Sequence, residues 1–162
     1  MKIVYVVLLM GIFAAKMVVA DDLMKLSLDD VTKVSPAIVA DTTVKVEGNS
    51  SVKITSSWPT TVCLGELEAP DCEGATLVYS AKLKTELEKG GSAFLEIWAH
   101  VDGGKYFSKG LNDTADGKSD WKSIQAMFAF QKGQKPDKVT LNVVINGKGT
   151  LWIDDVRLSK EA

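Results

Sequence analysis

Two aromatic rings, a carboxylate and an imidazole occupy every second position between residues 94 and 100. These residues are Phe94, Glu96, Trp98 and His100, and alternate residues of a β-strand point to the same face of a sheet. Aromatic rings stack on the apolar C–H face of a sugar ring, while amide and carboxylate groups satisfy the sugar hydroxyls. The pattern therefore indicates a face that binds carbohydrate. The alternative is a packing face, in which Phe94 and Trp98 lie beneath a covering loop or against another domain.

Polar residues on neighbouring strands would extend this face if the strands pair in register. Gln125 and Asn142 are the two that we expect beside the aromatic row, because an amide both donates and accepts hydrogen bonds. The first function that follows is a secreted, non-catalytic domain that binds a polysaccharide or oligosaccharide. The alternative is an envelope domain with a structural or protein-interaction role and no glycan ligand, whose partner is another protein.

The residues do not favour catalysis. His100 is the only histidine, and the chain has no Gly-x-Ser-x-Gly motif to go with it. No glycine-rich phosphate loop precedes a helical pattern. Glycoside hydrolysis needs two carboxylates about 5 to 10 Å apart, but among 21 acidic residues some pair meets that spacing by chance. We therefore expect that the protein is not an enzyme.

The composition limits the size of the protein and the class of its partners. The chain has 162 residues, with 19 Lys and Arg against 21 Asp and Glu. This length is typical of a single domain. Since the chain has no excess of positive charge to neutralise phosphates, we expect no nucleic-acid partner.

Residues 1–20 have the composition of a secretory signal peptide. Lys2 precedes an apolar run over residues 3–15, and small or β-branched residues lead up to a cleavage site after Ala20. The run is shorter than the roughly twenty residues that a membrane-spanning helix needs. We therefore expect a secreted or periplasmic protein with no membrane span after cleavage. The alternative is an uncleaved N-terminal anchor.

Cys63 and Cys72 are the only cysteines of the chain. Exported proteins keep disulfides, and the intervening Gly65 and Pro70 are typical of a compact loop. We therefore expect a disulfide between Cys63 and Cys72, which would stabilise the fold by about 2.5 to 3 kcal/mol. The alternative is two unpaired thiols on neighbouring strands.

Apolar residues recur with a period of two along most of the chain, which predicts β-strands. We expect a lead-in over residues 21–40 and a single domain over residues 41–160. The expected strands are 42–46, 51–55, 77–87, 93–101, 123–130, 138–145 and 151–158, with a hairpin turn at 47–50 and a polar loop over 108–120. Short strands, glycine-rich turns and little helical periodicity indicate an all-β fold, an antiparallel β-sandwich.

The last predicted strand changes face partway along. Its apolar residues are at odd positions up to Ile153 and at even positions from Val156. A strand changes face only where an extra residue is inserted. We therefore expect a β-bulge at Asp154 and Asp155.

Four segments of the chain carry a family resemblance, namely residues 48–54, 94–98, 119–121 and 149–158. With these segments the chain resembles galactose-binding-like jelly-roll domains of the carbohydrate-binding-module type. The resemblance implies a jelly roll of two sheets and non-catalytic glycan binding. It also implies a structural Ca²⁺ near the last strand, with Asp154 or Asp155 as a ligand.

Overall fold

The structure is a computed structural model that describes residues 21–26, 28 and 37–161. The predicted signal peptide lies outside the described residues. Among these residues, eleven β-strands form two antiparallel sheets, and the described part of the chain contains no α-helix. Within that part, accordingly, there is no helix with the length and apolar character to cross a membrane. The prediction of an all-β sandwich is confirmed.

One sheet has six strands and is built around the last strand of the chain. Its strands are β1 (Asp21–Lys25), β2 (Ile38–Asp41), β3 (Ser51–Ser56), β5 (Thr76–Leu87), β9 (Lys118–Ala129) and β11 (Gly149–Glu161). They follow the order β2, β3, β11, β5, β9, and β1 pairs with residues 157–160 of β11. β11 therefore has β5 along one edge, and β3 followed by β1 along the other.

The second sheet has five strands, and β6 lies inside it. Its strands are β4 (Thr60–Glu68), β6 (Ser92–Val101), β7 (Gly104–Lys109), β8 (Ala115–Asp116) and β10 (Pro136–Asn146). They follow the order β4, β10, β6, β7, and β8 pairs with the first residues of β6. β6 thus presents its side chains between those of β10 and β7.

Alternate residues of both sheets meet in one hydrophobic core. On β5 and β6 the residues at odd positions are buried, as the period of two predicted. Almost all of these inward side chains are aliphatic or aromatic, and their burial is the main source of stability. The even positions of β6, which carry the predicted site, face away from this core.

The predicted β-bulge in β11 is confirmed. The register between β11 and β5 shifts between Asp154 and Arg157, and Asp155 has a positive φ of 48°. The extra residue returns Val156 to the core side, where it is fully buried.

The N-terminal part of the six-stranded sheet differs from the prediction. The predicted strand over 42–46 and the hairpin turn at 47–50 are wrong, because the partner of β3 is β2 and residues 42–50 form the loop between them. The polar loop predicted over 108–120 is also shorter than expected, since β8 and the first residues of β9 lie within it. β1, β2, β4 and β7 were not predicted as strands.

Two carboxylates explain why residues 42–46 do not form a strand. Asp41 Oδ1 accepts the backbone N–H groups of residues 43 and 44 at 2.9 and 3.0 Å, and Asp154 Oδ2 accepts that of residue 46 at 2.7 Å. Side-chain acceptors of this kind compete with the hydrogen bonds of a sheet. These N–H groups therefore donate to the two carboxylates and are not available for pairing with a neighbouring strand.

Acid is expected to destabilise the fold through Asp41. The Trp152 indole N–H donates to Asp41 Oδ2 at 2.9 Å; this bond, together with those from residues 43 and 44, holds the pKa of Asp41 well below its ordinary value. In the unfolded chain an aspartate carboxyl titrates at about pH 4. The contribution of Asp41 is therefore complete above about pH 5 and is lost as the pH falls toward the lowered folded pKa. Urea unfolding over this pH range measures the loss.

The Asp41→Asn variant is the control for this prediction because it has no group to titrate at that position. Its free energy of unfolding should fall less steeply with acid than that of the wild type. Equal slopes for the two proteins would show that Asp41 is not the group responsible.

The predicted disulfide is wrong, because Cys63 and Cys72 are both free thiols. Cys63 is exposed on β4, opposite the outward-facing Asn142, whereas Cys72 belongs to the buried core. A disulfide requires the two β-carbons to face each other at close range, which these orientations do not provide. Burial raises the pKa of the Cys72 thiol to about 11, so it is an unreactive core residue.

Candidate functional site

The five-stranded sheet has one side toward the core and one side away from it, and the latter is the outer face. The even positions of β6 point to the outer face, since the odd positions fill the core. Pairing across β10, β6 and β7 arranges the outward side chains in rows. The three central rows are Lys138, His100 and Lys105; Thr140, Trp98 and Phe107; and Asn142, Glu96 and Lys109.

Tertiary pairing brings most of the predicted ligand-binding residues together on the outer face. Those on it are Phe94, Glu96, Trp98, His100 and Asn142. Gln125 is not among them: it lies in β9 of the six-stranded sheet, opposite Ser80. The expectation that Gln125 extends the face is therefore wrong. Alternation identifies the residues that share one side of a strand, but it does not identify the sheet that the strand joins.

Two neighbouring rings form the apolar part of the outer face. The ring centroids of Trp98 and Phe107 are 5.0 Å apart, and the ring planes make an angle of 42°. Phe107 is 56% exposed and Trp98 is partly exposed. By contrast, Phe94 is only 7% exposed, so its ring supports the sheet and offers little surface to a ligand.

Glu96 organises the polar groups around Trp98. Its side chain is buried, with Oε1 accepting the Trp98 indole N–H at 2.6 Å and the Asn142 amide N–H at 3.1 Å. Lys109 Nζ lies 3.6 Å from the other carboxylate oxygen. These contacts fix the plane of the indole and the orientation of the amide. Because these contacts already hold the side chains in one geometry, the side chains lose less conformational entropy when a ligand binds.

A cleft of about 290 Å³ adjoins the indole ring. It is lined by Trp98, His100, Lys105, Thr140 and Asn142. The lining combines one aromatic surface with hydroxyl, amide, imidazole and ammonium groups. Pockets that bind small polar ligands have this composition, in which apolar surface gives affinity and a few polar groups give orientation.

The β4 side of the outer face is acidic and ordered by ion pairs. Glu66 lies 3.2 Å from Lys138 Nζ and accepts a hydrogen bond from the Thr140 hydroxyl at 3.2 Å. These two contacts, and more weakly the charge of His100, hold the pKa of Glu66 below its ordinary value. Glu66 is therefore a charged residue that orients Thr140 beside the cleft.

Neither β7 nor its pairing with β6 was predicted from the sequence. Lys105 and Phe107 reach the outer face only because β7 pairs with β6, placing them opposite His100 and Trp98. Their signal in the sequence was limited to an aromatic residue shortly after a Gly-Gly turn. No local pattern showed on which side of the sheet that aromatic residue would lie.

The geometry around the bulge of β11 does not fit a calcium site. Asp154 Oδ2 accepts backbone N–H groups of the 42–50 loop, and Asp154 Oδ1 accepts the N–H of Asp155. Asp155 binds Arg157 Nε at 2.6 Å, and Lys82 Nζ lies 3.8 Å from it. Ca²⁺ requires several free oxygen ligands, and no group of three or more metal-binding side chains occurs among the described residues. Calcium ligation by these two residues stays a prediction without support from the donor set.

Comparison with known proteins gives structural matches and no sequence matches. No protein-family model matches the chain, and no curated protein matches it significantly in sequence. The Family 16 Carbohydrate Binding Module-2 aligns with a TM-score of 0.54 and 12% identity, covering 75% of this chain and 84% of that chain. The Family 30 Carbohydrate Binding Module aligns with a TM-score of 0.51 and 18% identity, covering 75% and 82%.

A third match is part of a larger enzyme. It is the N-terminal endo-1,4-beta-D-xylanase 10B of Clostridium thermocellum, in a structure of its CBM22-1 and GH10 modules complexed with xylohexaose. The TM-score is 0.59 and the identity 16%, and the alignment covers 90% of this chain but 28% of that one. At such identities the likeness concerns the fold. The chain therefore has the two-sheet β-sandwich fold of the carbohydrate-binding modules, as its resemblance to jelly-roll domains implied.

Proposed function

We propose that the protein is a secreted, non-catalytic domain that binds a saccharide on the outer face of the five-stranded sheet. The observation that carries this proposal is the exposed pair of rings, Trp98 and Phe107, beside a cleft with oriented polar groups. A sugar ring stacked on the indole would bury its apolar C–H face. Its hydroxyls would then meet the Asn142 amide and the Thr140 hydroxyl, which Glu96 and Glu66 hold in place.

The angle between the two rings favours a single sugar chain as the ligand. Rings that bind the flat surface of a crystalline polysaccharide need to be coplanar, whereas the planes of Trp98 and Phe107 differ by 42°. The cleft of about 290 Å³ is at the small end of ligand-binding pockets. Both features suit one sugar residue in the cleft, with the rest of a soluble chain lying along the sheet.

The carboxylates of the outer face support a binding role without catalysis. Glu96 is buried, its Oε1 accepts hydrogen bonds from Trp98 and Asn142, and Lys109 Nζ lies 3.6 Å from its Oε2. The lowered pKa of Glu66 opposes the protonated state that a general acid needs at neutral pH. Neither carboxylate is therefore suited to act as the general acid of glycoside hydrolysis.

A glycan panel tests the proposal directly. The purified protein is titrated with soluble xylan, glucan, mannan, galactan, pectin and alginate oligosaccharides, with and without Ca²⁺, and tryptophan fluorescence is followed. Because Trp98 lies at the cleft, we expect a saturable change in fluorescence with one class of glycan. An absence of any response across the panel would contradict the proposal and favour the protein-interaction alternative.

A further inference from the structure

The lysines of the outer face differ in whether a carboxylate lies close enough to neutralise their positive charge. Lys138 lies 3.2 Å from Glu66, and Lys109 lies 3.6 Å from Glu96. The Lys105 ammonium group makes no hydrogen bond or ion pair with any of the described residues, although the Lys105 backbone pairs with His100 in the sheet. One ammonium group of the outer face is therefore free to bind an external anion.

Lys105, whose ammonium group has no carboxylate partner in the described part of the chain, lies at the cleft. Lys105 on β7 is directly opposite His100 on β6, and the two line the cleft together with Trp98, Thr140 and Asn142. None of these five lining residues is acidic. Lys105 is the one lysine or arginine among them, and its ammonium group carries a positive charge. Lys105 is therefore the cleft residue that gives it a positive charge.

The exposed carboxylates of β4 lie on the other side of the cleft from Lys105, whereas the Glu96 carboxylate on β6 is buried and lies 3.6 Å from Lys109 Nζ. Glu66 and Glu68 belong to β4, and β10 separates β4 from β6. Glu66 is occupied by Lys138 and by the Thr140 hydroxyl. The outer face is thus acidic on its β4 side and basic on its β7 side. The anionic group of a bound ligand would therefore face β7.

We propose that the cleft selects acidic saccharides, and that Lys105 binds the carboxylate or sulfate group of a sugar stacked on Trp98. This inference rests on the proposed saccharide-binding function of the same face. A hydrogen bond between an ammonium and an anionic oxygen is about twice as strong as a neutral one. The contact therefore raises the affinity and fixes the orientation of the stacked sugar. Stacking by itself does not distinguish one sugar from another.

Matched pairs of ligands test the inference. Calorimetry is performed with oligogalacturonate and its methyl ester, and with a sulfated galactan oligosaccharide and its desulfated form. We expect the charged member of at least one pair to bind about tenfold more tightly, and to lose affinity in high salt. The pair with the larger preference identifies carboxylate or sulfate as the group that is recognised.

Three lysine variants separate the charge from other effects. Lys105→Gln should abolish the preference for the charged member, and Lys105→Arg should retain most of it, because only the arginine keeps the charge. Lys118→Gln is the matched control, since Lys118 is also an exposed strand lysine but lies on β9 of the other sheet. It should leave all affinities unchanged.

The outcomes distinguish the inference from the proposed function. Equal affinity for charged and neutral members, with binding that Trp98→Ala weakens, would overturn the selection of acidic saccharides and leave saccharide binding standing. A preference for acidic ligands that persists in Lys105→Gln would overturn the role of Lys105. Binding to none of these ligands and to no glycan of the panel would overturn the proposed function itself.

Discussion

Replacing Trp98 with alanine is expected to weaken saccharide binding about 30-fold while the protein stays folded. The indole ring is the aromatic surface of the cleft and one half of the pair formed with Phe107. Aromatic residues at the centre of a binding site commonly contribute about 2 kcal/mol or more, which corresponds to a loss of affinity of about 30-fold. Titration of the variant with the glycan identified by the panel measures this loss.

The fold should tolerate this substitution. Trp98 faces outward from β6 and is partly exposed, so its removal leaves no cavity in the core between the sheets. Glu96 loses the indole N–H but keeps the Asn142 amide and Lys109 as partners. The thermal midpoint of the variant, measured beside its affinity, separates a loss of binding from a loss of structure.

Trp58→Ala is the matched control for Trp98→Ala. Trp58 is 77% exposed and lies in the turn between β3 and β4, outside the rows of the outer face. Its removal should leave the affinity unchanged. If Trp58→Ala weakened binding while Trp98→Ala did not, the site would lie at that turn instead of on the outer face.

Replacing Asp154 with asparagine is expected to destabilise the protein by about 2 to 3 kcal/mol. The carboxylate is only 4% exposed, and it accepts the N–H groups of residues 46 and 47 at 2.7 and 3.1 Å and that of residue 155 at 2.8 Å. An amide has one acceptor oxygen instead of two, and its NH₂ group would face backbone donors. At least one buried N–H group would lose its partner.

Urea unfolding measures this effect, and Asp71→Asn is the control. Asp71 is exposed, and its carboxylate makes no hydrogen bond or ion pair with the described residues. Its substitution should change the free energy of unfolding by less than about 0.5 kcal/mol. A similarly small change in Asp154→Asn would show that the loop over residues 42–50 does not depend on this carboxylate.

The same stability measurements test calcium ligation. Because the oxygens of Asp154 already accept three backbone N–H groups, Ca²⁺ should leave the thermal midpoint of the wild type unchanged. A rise in the midpoint that disappears in Asp154→Asn would instead establish ligation, because a ligand bound only to the folded state stabilises it.

The long strands could be predicted because their patterns are local. The inward positions of β5 and β6, and the bulge at Asp154 and Asp155, follow from apolar alternation and from the point where it changes phase. The same alternation placed Glu96 and Trp98 on one side of β6. In each case the physical cause is burial of one face of a strand, which appears in the sequence as an alternation of apolar and polar residues.

The failed predictions depended on contacts between distant residues. The strand expected at 42–46 is a loop because Asp154, more than a hundred residues away, accepts the N–H of residue 46. The expected disulfide failed because Cys63 faces outward whereas Cys72 joins the core. Neither the contact with Asp154 nor the opposite orientations of the two cysteine side chains produces a local pattern in the sequence.

The sequence by itself determined the class of fold, the core face of each long strand and the aromatic row of β6, since each follows from the period of side chains along one strand. Tertiary structure alone decided which strands became neighbours. It put β10 beside β6, which brought the expected Asn142 next to Glu96, and it put β7 on the other side, which added Phe107 and Lys105. It put Gln125 in the other sheet. The physical reason is that strand pairing is a choice among competing long-range hydrogen-bonded partners, settled only when both sheets close over a common core.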